Sequence, residues 1–311
     1  MIKTTYSDAI LSGFDYLLGN HPEVFVMGQG LWSPWYVGNT MKNLDRKYGK
    51  ERIIDTPVSE SACTGAAVGA SICGMKPIVV HPRMDFMLYA MDSIVNQAAK
   101  WSYMFGGKLN APVTIRSIIN RGGSQGAQHS QALHSWFAHI PGIRVVMPST
   151  VEDARDLLIS SVLCPDPVIY IDDRWLYEQT ANLKPIKETP LNALTPKCLK
   201  EGDQITIVGS GYSTLLALNA SKKLNSDGTV DHELTTPGNW SAAKEIKGQA
   251  SETGTADTRN LWTAMPGKTY IDNWNNFHPD FMSSIKSLMD ELGYEVPDYH
   301  HASSSPHTYT Y

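Results

Sequence analysis

Asp55-Thr-Pro-Val-Ser-Glu60-Ser-Ala-Cys-Thr-Gly-Ala-Ala-Val-Gly-Ala-Ser71 is the stretch from which the rest of this chain is read. A proline-containing turn gives way to a carboxylate, and the carboxylate opens a run of small residues with helical spacing, Ser61 to Cys73. Gly65, Ala66, Gly69 and Ala70 remove side-chain bulk from that helix, so another backbone or a flat ligand can approach it closely. Pro77 to Val80 follows as a β-branched run, the signature of a buried strand. Further runs of this kind occur at Val24 to Met27, Val113 to Ile118, Arg144 to Met147, Pro167 to Ile171 and Ile205 to Val208. Helical periodicity marks Tyr6 to Leu18, Ala90 to Met104, Val151 to Val162 and Thr214 to Leu224. Strand and helix alternate, which predicts an α/β fold with a mainly parallel sheet flanked by helices.

The 311 residues suffice for one large domain and a smaller one. The expected boundaries are 1–176 for the large domain, 177–203 for a linker rich in Pro, Lys, Asn and Thr, and 204–311 for a smaller, divergent α/β C-terminal domain. Beyond Leu224 the sequence is dominated by Asn, Thr, Gly and Ser up to about Gly267, and an amphipathic helix is expected at Phe281 to Leu292. The 26 basic and 31 acidic residues, a formal charge of −5, are spread without long runs, which argues against nucleic acid or a membrane surface as partner. No segment approaches the ~20 apolar residues of a membrane span, and the N-terminus lacks the apolar stretch of a signal peptide. Cys63, Cys73, Cys164 and Cys198 show neither a CxxC pair nor zinc spacing, so a reducing, cytoplasmic setting is expected.

Two residues in this pattern invite chemistry. Glu60 at a helix start has two readings: a charge that suits the helix dipole, or a carboxylate presented to a ligand. His129 lies in Gln125-Gly-Ala-Gln-His-Ser-Gln-Ala-Leu-His134, a polar stretch beginning in a Gly-containing loop. Such a loop can offer the imidazole as a proton donor or acceptor near neutral pH, whereas the plainer reading is a helix cap. His134 reads as a solvated helix residue and His139 as the partner of a buried polar group.

These pieces in this order resemble the beta subunit of the thiamine-diphosphate-dependent component of 2-oxo-acid dehydrogenase complexes, of pyruvate, branched-chain or acetoin type. The resemblance runs through Arg52-Ile-Ile-Asp-Thr-Pro-Val-Ser-Glu60, Gly65 to Ala70, Met91-Asp-Ser-Ile-Val-Asn-Gln-Ala-Ala-Lys100, Ala127-Gln-His-Ser-Gln131 and Pro141-Gly-Ile-Arg-Val-Val-Met-Pro-Ser-Thr150. It implies a transketolase-like pyrimidine-binding domain. Glu60 would then hydrogen-bond a ring nitrogen of the cofactor's aminopyrimidine and promote its imino tautomer, Phe86 would lie against the ring, and His129 would stand at the substrate end. The implied activity is decarboxylation of a 2-oxo acid with transfer of the acyl or aldehyde unit.

The resemblance also exposes departures. The family holds magnesium and the diphosphate on Gly-Asp-Gly followed by Asn-Asn, and this chain offers only Asp227-Gly228 and Asn275-Asn276 at the wrong spacing. The Mg2+ ligands are therefore expected from a partner alpha subunit, in an assembly of two alpha and two beta chains that docks on an acyltransferase core. Gly28-Gln29-Gly30 stands where the family has an acidic residue near the cofactor, so Gln29 replaces a carboxylate. His81-Pro-Arg-Met-Asp85 replaces an aromatic-rich stretch and adds Arg83, read either as a ligand for a substrate carboxylate or phosphate or as a surface arginine. The resemblance covers residues 3–224. Gln29, Arg83 and the altered tail leave open a transketolase-like two-carbon transferase of a specialised biosynthetic pathway, and Gln29 a non-catalytic homologue.

Overall fold

The computed structural model describes residues 3–33, 35–120, 125–201, 206–226 and 233–236. In chain order these form β1 (Thr4–Thr5), α1 (Tyr6–Asn20), β2 (Val24–Gly28), α2 (Leu44–Tyr48), β3 (Ile53–Asp55), α3 (Glu60–Ile72) and β4 (Lys76–His81). There follow α4 (Ala99–Met104), β5 (Thr114–Ile119), α5 (His134–Ala138), β6 (Arg144–Val146), α6 (Val151–Leu163) and β7 (Val168–Asp173). The last are β8 (Thr180–Ala181), β9 (Lys197–Lys200), β10 (Thr206–Val208), α7 (Tyr212–Ser226) and β11 (Glu233–Thr236).

Six strands make one sheet in the order β3-β2-β4-β5-β7-β6, and every pairing in it is parallel. Its central strands are almost wholly buried because both faces are covered. Along β4, Ile78 and Val80 belong to one apolar cluster with Phe14, Leu17, Leu158 and Tyr170, whereas Val79 points into the other with Ala67, Met87, Ile94 and Phe137. The first cluster packs α1 and α6 on one face, and the second packs α3 and residues 84–99 on the opposite face.

Local chemistry sets the helix starts. Thr5 caps α1 by accepting a hydrogen bond from the Asp8 amide at 3.1 Å, and Thr150 caps α6 in the same way from Asp153 at 3.1 Å. The helix expected across Ala90 to Met104 is instead a composite: a tight 3₁₀ stretch at Met84–Ala90, a wide π stretch at Asp92–Ala98, then α4. Its neighbours press close, since a β-carbon at Gly142 would fall 1.9 Å from the Ala99 carbonyl oxygen. Strand β3 lacks a sequence expectation because three residues are too few to show a period.

The stretch expected as a linker carries structure of its own. β8 pairs antiparallel with β1, Leu191 is buried in the first core, and Lys197 bonds Asp153 at 2.6 Å. β9 and β10 flank β11 in a small second sheet, with β10 parallel to it and β9 antiparallel. The expected helix at Phe281 to Leu292 and most of the expected C-terminal domain lie outside the described residues. Among the described residues no helix is long and apolar enough to cross a membrane.

Candidate functional site

The chain leaves β2 toward β3 on one side of the sheet, and β4 then leads to β5 on the other, so strand order reverses between β2 and β4. In an open parallel sheet, the connections diverge there and leave a crevice beyond the carboxyl ends of the strands. A cleft at this point is lined by Gly28 and Gln29 from the end of β2, by Val79, Val80, His81 and Pro82 from β4, and by Ser59, Glu60 and Cys63 at the start of α3.

Each wall has a physical reason. A β-carbon at Gly28 would lie 2.5 Å from the Val80 carbonyl oxygen, so only glycine lets the two strand ends close side by side in the Gly28–Val80 register. Asp55 ties the turn after β2 by accepting from the Gly30 amide at 2.7 Å, and the Thr56 amide donates to the Gly28 carbonyl at 2.9 Å. Helix α3 starts at Glu60, with the carboxylate in its first turn. The carboxylate therefore suits the helix dipole and also lines the cleft. Glu60 is half-buried, and among the described residues its side chain has no hydrogen-bond or ion-pair partner.

One turn further, Thr64 Oγ1 meets His81 Nε2 at 3.2 Å. His81 is buried, and burial pushes its pKa down to about 4, so the ring is neutral at physiological pH. The small residues of α3 divide in function. Gly65 admits Ser93, whose Oγ would lie 3.3 Å from a β-carbon there, whereas Gly69 faces open space and Ala66 is exposed.

Phe86 and His129 sit together beside this cleft, not in its lining. Their rings meet edge to face with centroids 5.1 Å apart, and Phe86 stacks on Tyr89 at 6.4 Å. Three tethers hold the loop bearing His129 against residues 83–86. Arg83 Nε donates to Gln125 Oε1 at 3.0 Å, the Gln131 amide and side chain donate to Asp85 Oδ1 at 3.1 and 2.8 Å, and the Leu133 amide donates to Met84 Sδ at 3.3 Å. Among the described residues, His129 Nδ1 is buried without a partner. A buried donor or acceptor left unpaired is costly in a loop tied this firmly.

The structure thus brings Gln29 and Glu60 together, and Phe86 with His129, with Arg83 joining the two groups through Pro82 and Gln125. Arg83 is half-buried, and burial lowers its pKa. His134 is half-buried at the start of α5, and His139 is exposed at its end. Cys63, Thr64 and Arg174 belong to this edge as well. Nothing in their spacing announces them, because their roles depend on which strand ends lie side by side.

The family model for the transketolase, pyrimidine binding domain matches residues 3–179. The beta-1 subunit of the mitochondrial pyruvate dehydrogenase E1 component of Arabidopsis thaliana is 37% identical over 232 residues, covering 73% of this chain and 63% of that protein. The beta subunit of the acetoin:2,6-dichlorophenolindophenol oxidoreductase of Cupriavidus necator is 38% identical over 241 residues, covering 73% of this chain and 69% of that one. Among solved structures, a split-gene transketolase described as an inactive beta4 tetramer superposes with a TM-score of 0.59 at 21% identity, covering 75% of this chain and 70% of that one. The chain spans less than two thirds of the length of the first plant relatives it matches.

Proposed function

We propose that this chain, which belongs to the transketolase pyrimidine-binding-domain family, is the beta-type subunit of a heteromeric thiamine-diphosphate-dependent enzyme that decarboxylates a 2-oxo acid and passes on the acyl or aldehyde unit. One observation carries the reading: the half-buried, unpartnered Glu60 carboxylate at the sheet's switch point. The residues there fit a flat aminopyrimidine. Gly28 puts no side chain into the cleft, Gln29 offers an amide, and Glu60 would hold a proton at the ring nitrogen facing it.

Phe86 would give the ring an apolar wall without competing for its hydrogen bonds. His129, with its buried unpartnered Nδ1, would stabilise charge or move a proton at the substrate end. When bound, thiamine diphosphate supplies the acidic thiazolium carbon that adds to the oxo group. Two relatives are named as beta subunits of pyruvate dehydrogenase E1 and of an acetoin oxidoreductase, which supports an oxidoreductase role.

The other half of the site belongs, in this proposal, to an alpha subunit that carries the Mg2+ and diphosphate ligands, in a tetramer of two alpha and two beta chains able to dock on an acyltransferase core. The open cleft is the surface such a partner would close. The four cysteines are all free, which supports the cytoplasm as the setting. A transketolase-like transfer of a two-carbon unit is the second reading, favoured by Arg83 beside the cleft wall.

The deciding experiment is Glu60→Gln in the complex reconstituted with its alpha subunit. Turnover falls by at least about a hundredfold while the thermal midpoint is kept, and an undiminished rate overturns the assignment. Comparing a lipoyl-domain acceptor with aldehyde acceptors separates the two reactions.

A further inference from the structure

Four consecutive residues just past the cleft wall each hold one residue of the loop that carries His129. Arg83 Nε donates to Gln125 Oε1 at 3.0 Å, Met84 Sδ accepts from the Leu133 amide at 3.3 Å, and Asp85 Oδ1 accepts from Gln131. The Phe86 ring meets the His129 ring with centroids 5.1 Å apart. Around His129 the loop is a compact turn, because the His129 amide and the Ser130 hydroxyl both donate to the Gly126 carbonyl, at 3.2 and 3.1 Å. The turn therefore moves as a unit, and whatever fixes its ends decides where the imidazole stands.

The four tethers are unequal. Gln125 is exposed, and its Oε1 also accepts from Asn120 Nδ2 at 2.9 Å, so that end stays held without Arg83. A thioether sulfur is a weak acceptor, and Met84 adds little. Phe86 offers the imidazole a surface and not a fixed point. Asp85 differs from all three. It is buried, 6% exposed, and one of its oxygens takes both the Gln131 backbone amide at 3.1 Å and the Gln131 side-chain amide at 2.8 Å. A carboxylate roughly doubles the strength of an N–H bond relative to a neutral acceptor. The backbone bond fixes the main chain two residues from His129, and without Asp85 both donors would lose their acceptor in a part-buried place.

We propose that Asp85 is a positioning residue: by holding the main chain and side chain of Gln131, it sets where the His129 imidazole stands against Phe86 at the substrate end of the site. It acts through His129 and not by touching cofactor or substrate. What the two donors require is an oxygen at that point, so Asp85→Asn keeps the device and Asp85→Ala removes it. The consequence for turnover rests on the function proposed above; the placing of the ring does not.

The first measurement is proton NMR of the His129 ring in the full chain, its resonances identified by their loss in His129→Gln and displaced by the neighbouring Phe86 ring. In Asp85→Ala they should move toward their positions in Phe86→Leu, and in Asp85→Asn they should stay near those of the parent. Gln131→Leu, which removes the shorter of the two bonds, should move them the same way and serves where Asp85→Ala does not fold. The second measurement is made on the complex reconstituted with its alpha subunit. Asp85→Ala should lower kcat about tenfold or more, with thiamine diphosphate affinity by calorimetry within about twofold of the parent. Asp85→Asn should recover most of the lost kcat. A general loosening of the fold would instead weaken cofactor binding together with kcat. Unmoved His129 resonances, an unchanged kcat, a parallel loss of cofactor affinity, or no recovery in Asp85→Asn overturns the proposal. Undiminished turnover in Glu60→Gln overturns the function instead and leaves the NMR result to judge Asp85, so each claim can fail alone.

Discussion

At the scale of single residues, His81 links the site to stability. Its ring lies beneath the cleft against Thr64, and burial lowers its pKa from 6.5 to about 4. The unfolded chain takes up a proton on this side chain near its ordinary value, whereas the folded chain resists. The neutral ring therefore contributes its full stability above pH 6.5 and loses it as pH falls toward 4. The loss amounts to about 3 kcal/mol across that window. Urea unfolding of the parent and of His81→Gln between pH 7 and about pH 4 checks this. The variant should show a flatter dependence, and identical slopes would remove His81 as the titrating group.

Elements supply the precision that residues alone lack. The cleft exists because β2 and β4 end together and α3 begins beside them, and Gly28 is the point at which the strands touch. Adding one methyl there sets it 2.5 Å from the Val80 carbonyl oxygen, which forces the strand ends apart. Gly28→Ala should cost roughly 1–3 kcal/mol by overpacking, seen as a lower denaturant midpoint, and should weaken cofactor binding in the reconstituted complex as well. Stability and affinity both unchanged would show that the strand ends yield freely. The composite helix at residues 84–104 teaches the complementary lesson. Its apolar period is helical, yet packing against α3 and Gly142 imposes tight and wide turns on one continuous run.

For the whole molecule, the fold is pinned by a buried ion pair that joins neighbouring strands to the loop before α2. Arg116 of β5 meets Asp172 of β7 through two hydrogen bonds of 2.9 and 2.8 Å, donates to Thr40 at 2.8 Å, and lies over the Phe14 ring at 5.4 Å. Tyr177 donates to the same carboxylate at 2.5 Å. Removing one partner leaves a charge stranded in the core, so Arg116→Met should cost about 3–5 kcal/mol. Arg116→Met with Asp172→Leu should recover part of that loss. Equilibrium unfolding of both variants decides; a single variant as stable as the parent would mean that water or another group replaces the arginine.

The sequence alone was enough for the alternation of strand and helix, because apolar runs bounded by turns record burial directly, and it singled out Glu60, Phe86 and His129 through a resemblance to a known family. It held no sign that Phe86 and His129 would pair beside the Glu60 cleft, not inside it, or that Arg174 and Arg83 would follow strands of the same sheet edge. Those facts belong to the order in which the strands lie. Residues 83 and 174 follow different strands of the sheet, far apart in the chain, and only the closing of β4, β5 and β7 side by side brings both to its carboxyl edge. A sequence pattern is local, whereas charge and contact act through space.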